Sequence, residues 1–86
     1  MFIHFLNLEH IFFFNRGLAY LKLGQHLKAI NDFTETIKLK PNEAKAYFNR
    51  GISKSILGLD ACSDNKKACS LGRKIACELF RDDNCN

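Results

Sequence analysis

Two asparagines stand in nearly identical surroundings in this chain. Asn15 lies in FFNRG at Phe13–Gly17 and Asn49 lies in YFNRG at Tyr47–Gly51, so the two stretches begin 34 residues apart (13 to 47). A carboxamide both donates and accepts hydrogen bonds, so such a side chain can bind the main chain of another polypeptide whatever its side chains are. A period of this length is typical of repeat architectures and therefore bears on the fold.

The four cysteines, Cys62, Cys69, Cys77 and Cys85, are spaced by 7, 8 and 8 residues. No Cys-x-x-Cys pair is present, so neither a zinc site nor a thioredoxin-like motif is predicted. On one helix Cys62 and Cys69 would share a face but lie roughly 10 Å apart, too far for a disulfide. Buried cysteines also act as small apolar residues in a reducing cytosol, and this alternative stays open.

The three histidines, His4, His10 and His26, fall in different segments, and none has a partner at the spacing of metal ligands. An array of helical hairpins also offers little enclosed volume for a substrate. We therefore expect no catalytic site, no cofactor and no metal, and a chain that is not an enzyme.

Composition limits the class of protein and of partner. The chain has 86 residues, 47% hydrophobic and 26% charged, which predicts a single folded domain over residues 1–86. The formal charge is +4, and no basic run exceeds two residues, so a nucleic-acid partner is not expected. The N-terminal MFIHFLNLEHIFFF lacks a basic n-region and a cleavage site, and it is too short to span a bilayer. We expect no membrane association, and a cytoplasmic location is favoured over a periplasmic or secreted one.

Apolar residues recur at helical rather than strand spacing. One series over 18–23 ends at Gly24, a residue that commonly ends helices with positive φ. A second series over 27–37 ends before Pro41, which cannot continue a helix. The pattern divides the chain into a first unit of two helices over 10–43, a second over 44–72 and a capping helix over 73–82.

The segment NRGLAYLKLGQHLKAINDFTETIKLKP resembles the tetratricopeptide repeat, a helical hairpin with a period of about 34 residues. The resemblance implies an all-α fold, an α-solenoid of antiparallel helix-turn-helix units that forms a fragment of a right-handed superhelix. Gly17 and Ala29 are small, so the two helices of a unit can approach closely. The residues that carry the signature are Gly17, Tyr20, Gly24, Ala29, Phe33 and Pro41 in the first unit and Tyr47, Gly51 and Gly58 in the second.

The second unit departs from this pattern. Lys54 stands where Tyr20 stands in the first unit, and a deletion of two residues in the turn places Asn65 at the position of Phe33. An asparagine there removes apolar burial and adds an amide that needs partners. We therefore expect the second helix of this unit to be the less stable part.

In stacked repeats of this family the first helices line a concave surface, where many members bind a peptide backbone through an asparagine at the position of Asn15 and Asn49. The resemblance implies a module that binds a peptide or partner helix, and its lysines favour an acidic one. The candidate contact residues are Asn15, Asn49, Phe14, Leu18, Lys22, Lys45, Phe48 and Ile52, with Leu21, Ser55 and Ile56 beside them. Phe14 and Leu18 occupy places where carboxylate-binding members have lysine and asparagine, so recognition of a terminal carboxylate is not expected.

Two other functions stay open. One is a structural role, in which the exposed ends stack on further repeats or associate with a second copy of the chain. The other is a helical appendage of a larger enzyme or regulator.

The C-terminal stretch KKACSLGRKIACELF resembles the cysteine-containing Sel1-like repeats, in which a cysteine pair links two helices. The resemblance implies a disulfide between Cys69 and Cys77, which flank the predicted break at Leu71-Gly72. No other pair is expected within the chain, and Cys85 is expected to stay free or to pair between molecules.

Overall fold

The computed structural model describes residues 8–81, and every regular element in this range is an α-helix. Each helix packs against the next one along the chain. The predicted all-α architecture of consecutive helix-turn-helix units is therefore confirmed over these residues, while the handedness of the superhelix stays a prediction. The helices are α1 (Glu9–Lys22), α2 (His26–Leu39), α3 (Ala44–Ile56), α4 (Cys62–Ser70) and α5 (Lys74–Arg81).

Three of the helices end in the same way. At the end of α1 the N–H of Gln25 donates to the carbonyl of Tyr20 at 2.8 Å, and the N–H of Gly24 donates to the carbonyl three residues earlier at 3.0 Å. This pair of bonds is the Schellman motif, which needs a residue with positive φ, and φ of Gly24 is 77°. The same pair of bonds ends α3 at Gly58 and α4 at Gly72.

The first unit is held together where α1 meets α2 at Gly17. Phe33 is completely buried, and its ring lies directly against this glycine. A β-carbon added to Gly17 would lie 2.7 Å from Cε1 of Phe33, closer than real β-carbons approach other atoms, so the contact requires glycine. Ala29 is also completely buried, as expected for a small residue between closely packed helices.

In the second unit Asn65 takes the place of Phe33. Its Oδ1 would lie 3.1 Å from a β-carbon added to Gly51, the equivalent of Gly17, so the predicted two-residue deletion is confirmed. Helix α4 has 9 residues where α2 has 14. The lower stability expected of α4 stays a prediction.

A small core joins α3, α4 and α5, formed by Phe48, Ala68 and Ala76. Beside it a disulfide links Cys69 of α4 to Cys77 of α5, with Cα atoms 4.7 Å apart.

Cys62 is disulfide-bonded as well, so the expectation of a single pair within the chain is wrong. The spacing argument excluded only Cys69 as a partner of Cys62 and did not test the others. The expectations for Cys85 and His4 fall outside the described residues, as does the last residue of the capping helix predicted over 73–82. No helix in the range 8–81 is both long and apolar enough to cross a membrane.

Candidate peptide-binding face

The candidate contact residues are carried by α1 and α3. Connections of three and four residues separate α1 from α2 and α2 from α3, and connections this short make neighbouring helices antiparallel. Helices α1 and α3 therefore run in the same direction on one side of α2, where they also contact each other. Asn15 and Asn49 occupy equivalent positions on the two helices, each two residues before the glycine that contacts the second helix of its unit.

The two amides differ in their hydrogen bonds. The Asn15 side chain is exposed and has no hydrogen bond to another described residue. Nδ2 of Asn49 donates to the carbonyl of Lys45, one turn earlier in α3, at 2.8 Å. Asn15 can therefore offer its acceptor and both N–H donors to a ligand, whereas Asn49 in this conformation offers its Oδ1 acceptor and one remaining N–H donor.

The two lysines of the candidate face lie at its opposite ends. Lys22 is in the last turn of α1 and Lys45 is in the first turn of α3, and both are exposed. Between them Leu18 and Leu21 are half-buried on α1. A ligand that contacts both lysines must therefore run diagonally across α1 and α3.

A cavity of about 250 Å³ lies beside Lys45, between α1 and the connection from α2 to α3. Phe14 forms part of its apolar wall and packs on Phe33, with ring centroids 5.8 Å apart. Lys40 and Glu43 also line it, and Nζ of Lys40 lies 3.4 Å from Oε1 of Glu43. The charged side chains that line this cavity are therefore two lysines and one glutamate.

Phe48 belongs to the core rather than to an open surface. It is only 8% exposed, and the guanidinium carbon of Arg73 lies 4.9 Å from its ring centroid. Its predicted role as an apolar contact for a ligand is therefore restricted, because α4 and α5 cover the ring. Ile52 packs beside this core but stays half-exposed.

Each unit contains an arginine–aspartate pair that the sequence analysis missed. Arg16 donates two hydrogen bonds to Asp32 at 2.8 and 2.9 Å, and Arg50 donates two to Asp64 at 2.9 and 2.7 Å. The aspartates are 4% and 2% exposed. The sequence could have predicted these pairs. Arginine precedes glycine in both copies of FNRG, and the two aspartates align once the two-residue deletion in the second unit is allowed for.

Only the second of these arginines also joins the two units. Nη1 of Arg50 donates to Oγ1 of Thr34 in α2 at 3.0 Å. The hydrogen bonds to Asp64 raise the pKa of the Arg50 guanidinium, and burial opposes this change only in part. Asp32 raises the pKa of Arg16 in the same way. The side chain of Arg50 is 17% exposed and that of Arg16 is 45% exposed, because α2 covers α3 but no described helix covers the equivalent side of α1.

The two signature tyrosines have different surroundings. The hydroxyl of Tyr47 donates to the carbonyl of Pro41 at 2.9 Å and so ties α3 to the preceding turn. Both rings also face cations: Arg50 lies 5.8 Å from the centroid of Tyr47, and Arg16 and Lys28 lie 5.7 and 5.5 Å from the centroid of Tyr20.

One histidine–serine contact links α2 to α3. Nδ1 of His26 lies 3.1 Å from Oγ of Ser53, which is completely buried. A hydroxyl without access to solvent cannot attack a substrate, so this pair serves packing between the units. In the described part of the chain no group of three or more His, Cys, Asp or Glu side chains is placed to hold a metal ion.

Consecutive antiparallel helix pairs, with first helices on one side and second helices on the other, define a helical-repeat protein of the α-solenoid class. Residues 11–43 match the family model described as Tetratricopeptide repeat, so this part of the chain is similar to a repeat of that family. Repeats of this family generally mediate protein–protein interactions.

Two curated relatives have the same kind of repeat. Tetratricopeptide repeat protein 28 of Homo sapiens and its namesake of Mus musculus are each 39% identical to this chain over 51 residues. The aligned part is 59% of this chain but only 2% of each relative. No solved structure matches the chain significantly.

Proposed function

We propose that the chain binds a segment of another protein along the face formed by α1 and α3, and that it has no enzymatic activity of its own. The observation that carries this proposal is the equivalent placement of Asn15 and Asn49 on two helices that run in the same direction. An extended main chain presents donors and acceptors at regular intervals, and two amides at one repeat spacing match such a ligand.

The charge of the face favours an acidic ligand. Lys22 and Lys45 stand at its two ends, and Lys40 adds a cation beside the cavity at the start of α3. Exposed cations of this kind contribute modestly to affinity and are screened by salt. Acidic side chains of the ligand would therefore set its orientation, while the amides and apolar residues provide most of the contact.

The test is a titration of a captured protein partner against the wild type and the double variant Asn15→Ala/Asn49→Ala. Each neutral hydrogen bond contributes about 0.5–1.5 kcal/mol, so the double variant should bind roughly 10- to 100-fold more weakly with unchanged helicity. Asn31→Ala is the matched control, because Asn31 is an exposed asparagine on α2. Equal affinity of the double variant and the control would rule out this face as the site.

A second candidate, self-association through the N-terminal end, is favoured by the comparison of Arg16 with Arg50. The side of α1 that corresponds to the covered side of α3 exposes Phe12 by 54% as well as Arg16. On this reading a helix of a second copy takes the place that α2 takes on α3. Sedimentation at increasing concentration should then show dimers that Phe12→Asp disrupts and that Leu27→Asp, at an exposed leucine of α2, does not. A monomer at all concentrations would exclude this candidate.

A further inference from the structure

The two units differ at one place in their interiors. In the first unit the ring of Phe33 fills the space against Gly17, and in the second unit the smaller Asn65 stands in the equivalent place against Gly51. Because asparagine has no ring, it leaves part of the corresponding space unfilled. In the second unit, therefore, an aromatic ring of another molecule can occupy the space that Phe33 fills in the first unit.

A cavity of about 200 Å³ is found at this position, between α3, α4 and α5. Ile52, Ile56 and Leu79 supply apolar walls, and Ile56 and Leu79 are exposed at its mouth. An apolar cavity of ~150 Å³ is large enough to hold a benzene molecule. The volume and walls of this cavity are therefore suited to one aromatic ring.

Two polar side chains also border the cavity. They are Asn65 and Ser55, and neither side chain has a hydrogen bond to another described residue. An amide and a hydroxyl can each donate to and accept from the hydroxyl of a phenol. The cavity thus combines apolar walls with polar groups, which favours a ring with a hydroxyl over a purely apolar one.

We propose that this cavity binds the side chain of a tyrosine from the polypeptide ligand, with its ring where Phe33 stands in the first unit and its hydroxyl at Asn65 or Ser55. The proposal rests on the proposed function, because Ile52, Ser55 and Ile56 belong to the predicted contact residues of the α1–α3 face. It adds a specificity determinant to that face: a tyrosine beside the stretch of main chain held by the asparagines.

The proposal can be tested without the natural ligand, with p-cresol as a probe for the tyrosine side chain and toluene as its apolar counterpart. In titrations of the full chain followed by amide chemical shifts, p-cresol should perturb Gly51, Ser55, Asn65 and Leu79. It should bind roughly fivefold more tightly than toluene, as one neutral hydrogen bond predicts. Shifts confined to other residues, or equal affinity for the two probes, would overturn the proposal.

Two variants test the volume of the cavity and its polar groups separately. Asn65→Phe restores the ring of the first unit and should weaken p-cresol binding at least tenfold while raising the melting temperature, because the cavity is filled. The double variant Ser55→Ala/Asn65→Ala keeps the cavity and removes both polar groups, so it should abolish the preference for p-cresol over toluene. Asn31→Phe, at an exposed position of α2, is the control that should change neither property. Unchanged binding of p-cresol to Asn65→Phe would contradict the proposed site.

Failure of the tyrosine site can be distinguished from failure of the proposed function. The variant Asn15→Ala/Asn49→Ala should bind p-cresol like the wild type, because neither asparagine lines the cavity. If p-cresol binds as expected and the double variant keeps its affinity for the protein partner, the main-chain contacts are wrong and the cavity stands. If the double variant loses the partner but p-cresol does not bind, the cavity proposal alone is wrong.

Discussion

Arg50 and Asp64 join α3 to α4 through two hydrogen bonds of 2.9 and 2.7 Å, with the carboxylate almost fully buried. The same arginine reaches Thr34 in the preceding helix at 3.0 Å, so one side chain connects three consecutive helices. Arg16 forms the equivalent pair with Asp32 in the first unit. The arginine of the repeated FNRG stretch is therefore a structural residue, alongside the glycine that follows it.

Arg50→Ala should destabilise the fold more than Arg16→Ala. It leaves Asp64 buried without its bidentate partner, and removing one member of a buried ion pair costs ~3–5 kcal/mol. Lys54, whose Nζ lies 3.4 Å from Asp64, should keep the loss at the lower end of this range. The measurement is the free energy of unfolding in urea, followed by circular dichroism.

Arg16→Ala is the matched control for this prediction. Its side chain is largely exposed and lacks a bond that corresponds to the one between Arg50 and Thr34. Exposed ion pairs contribute little to stability, so the loss should be smaller than for Arg50→Ala, although the burial of Asp32 keeps it measurable. Equal losses for the two variants would show that the link between units adds nothing to stability.

Gly17→Ala should destabilise the fold, whereas Gly51→Ala should be neutral or stabilising. The added β-carbon at Gly17 meets the fully buried ring of Phe33 at 2.7 Å, and such overpacking costs about 1–3 kcal/mol. At Gly51 it meets Oδ1 of Asn65 at 3.1 Å, the end of a half-buried side chain that can turn away. Alanine also favours a helix over glycine by about 1 kcal/mol. Thermal melts of both variants give the comparison, and a lower melting temperature for Gly51→Ala than for Gly17→Ala would contradict it.

The double variant Cys69→Ser/Cys77→Ser should release α5 before the rest of the fold. Closure of a loop this short contributes about 2–3 kcal/mol, and the 8 described residues of α5 are too few to be helical on their own. Hydrogen exchange should accelerate selectively in α5, while the amides of α1 and α2 keep their protection. Ser70→Ala, at an exposed residue of the same region, is the control. Uniform acceleration through all five helices would mean that α5 is part of one cooperative unit.

The single variants at the two asparagines should differ in their effect on partner binding. Asn15→Ala should weaken binding by about tenfold, because its amide is free to donate and accept. Asn49→Ala should have a smaller effect, because one of the two N–H donors of Asn49 Nδ2 is already bonded to the carbonyl of Lys45. Titration of the captured partner measures both, and a larger effect of Asn49→Ala would show that this internal bond breaks when the ligand binds.

Several features of the fold followed from the sequence alone. The repeat period, the helical spacing and the positions of Gly24, Gly58 and Pro41 predicted where helices occur and end, because these depend on local backbone geometry. The equivalence of Asn65 and Phe33 also followed from the sequence. Each residue packs against the glycine of its own unit, so aligning the two glycines and allowing for the shorter turn aligns these two residues as well.

Other features depended on which side chains meet across helices, and only the tertiary structure decided them. The bond from Arg50 to Thr34 crosses two units, and Phe48 is buried because α4 and α5 fold over it. The cavity beside Asn65 exists because three helices surround a side chain too small to fill the space between them. A periodic pattern identifies the face on which a residue lies, but the packing of distant residues determines how much of that face stays open to a ligand.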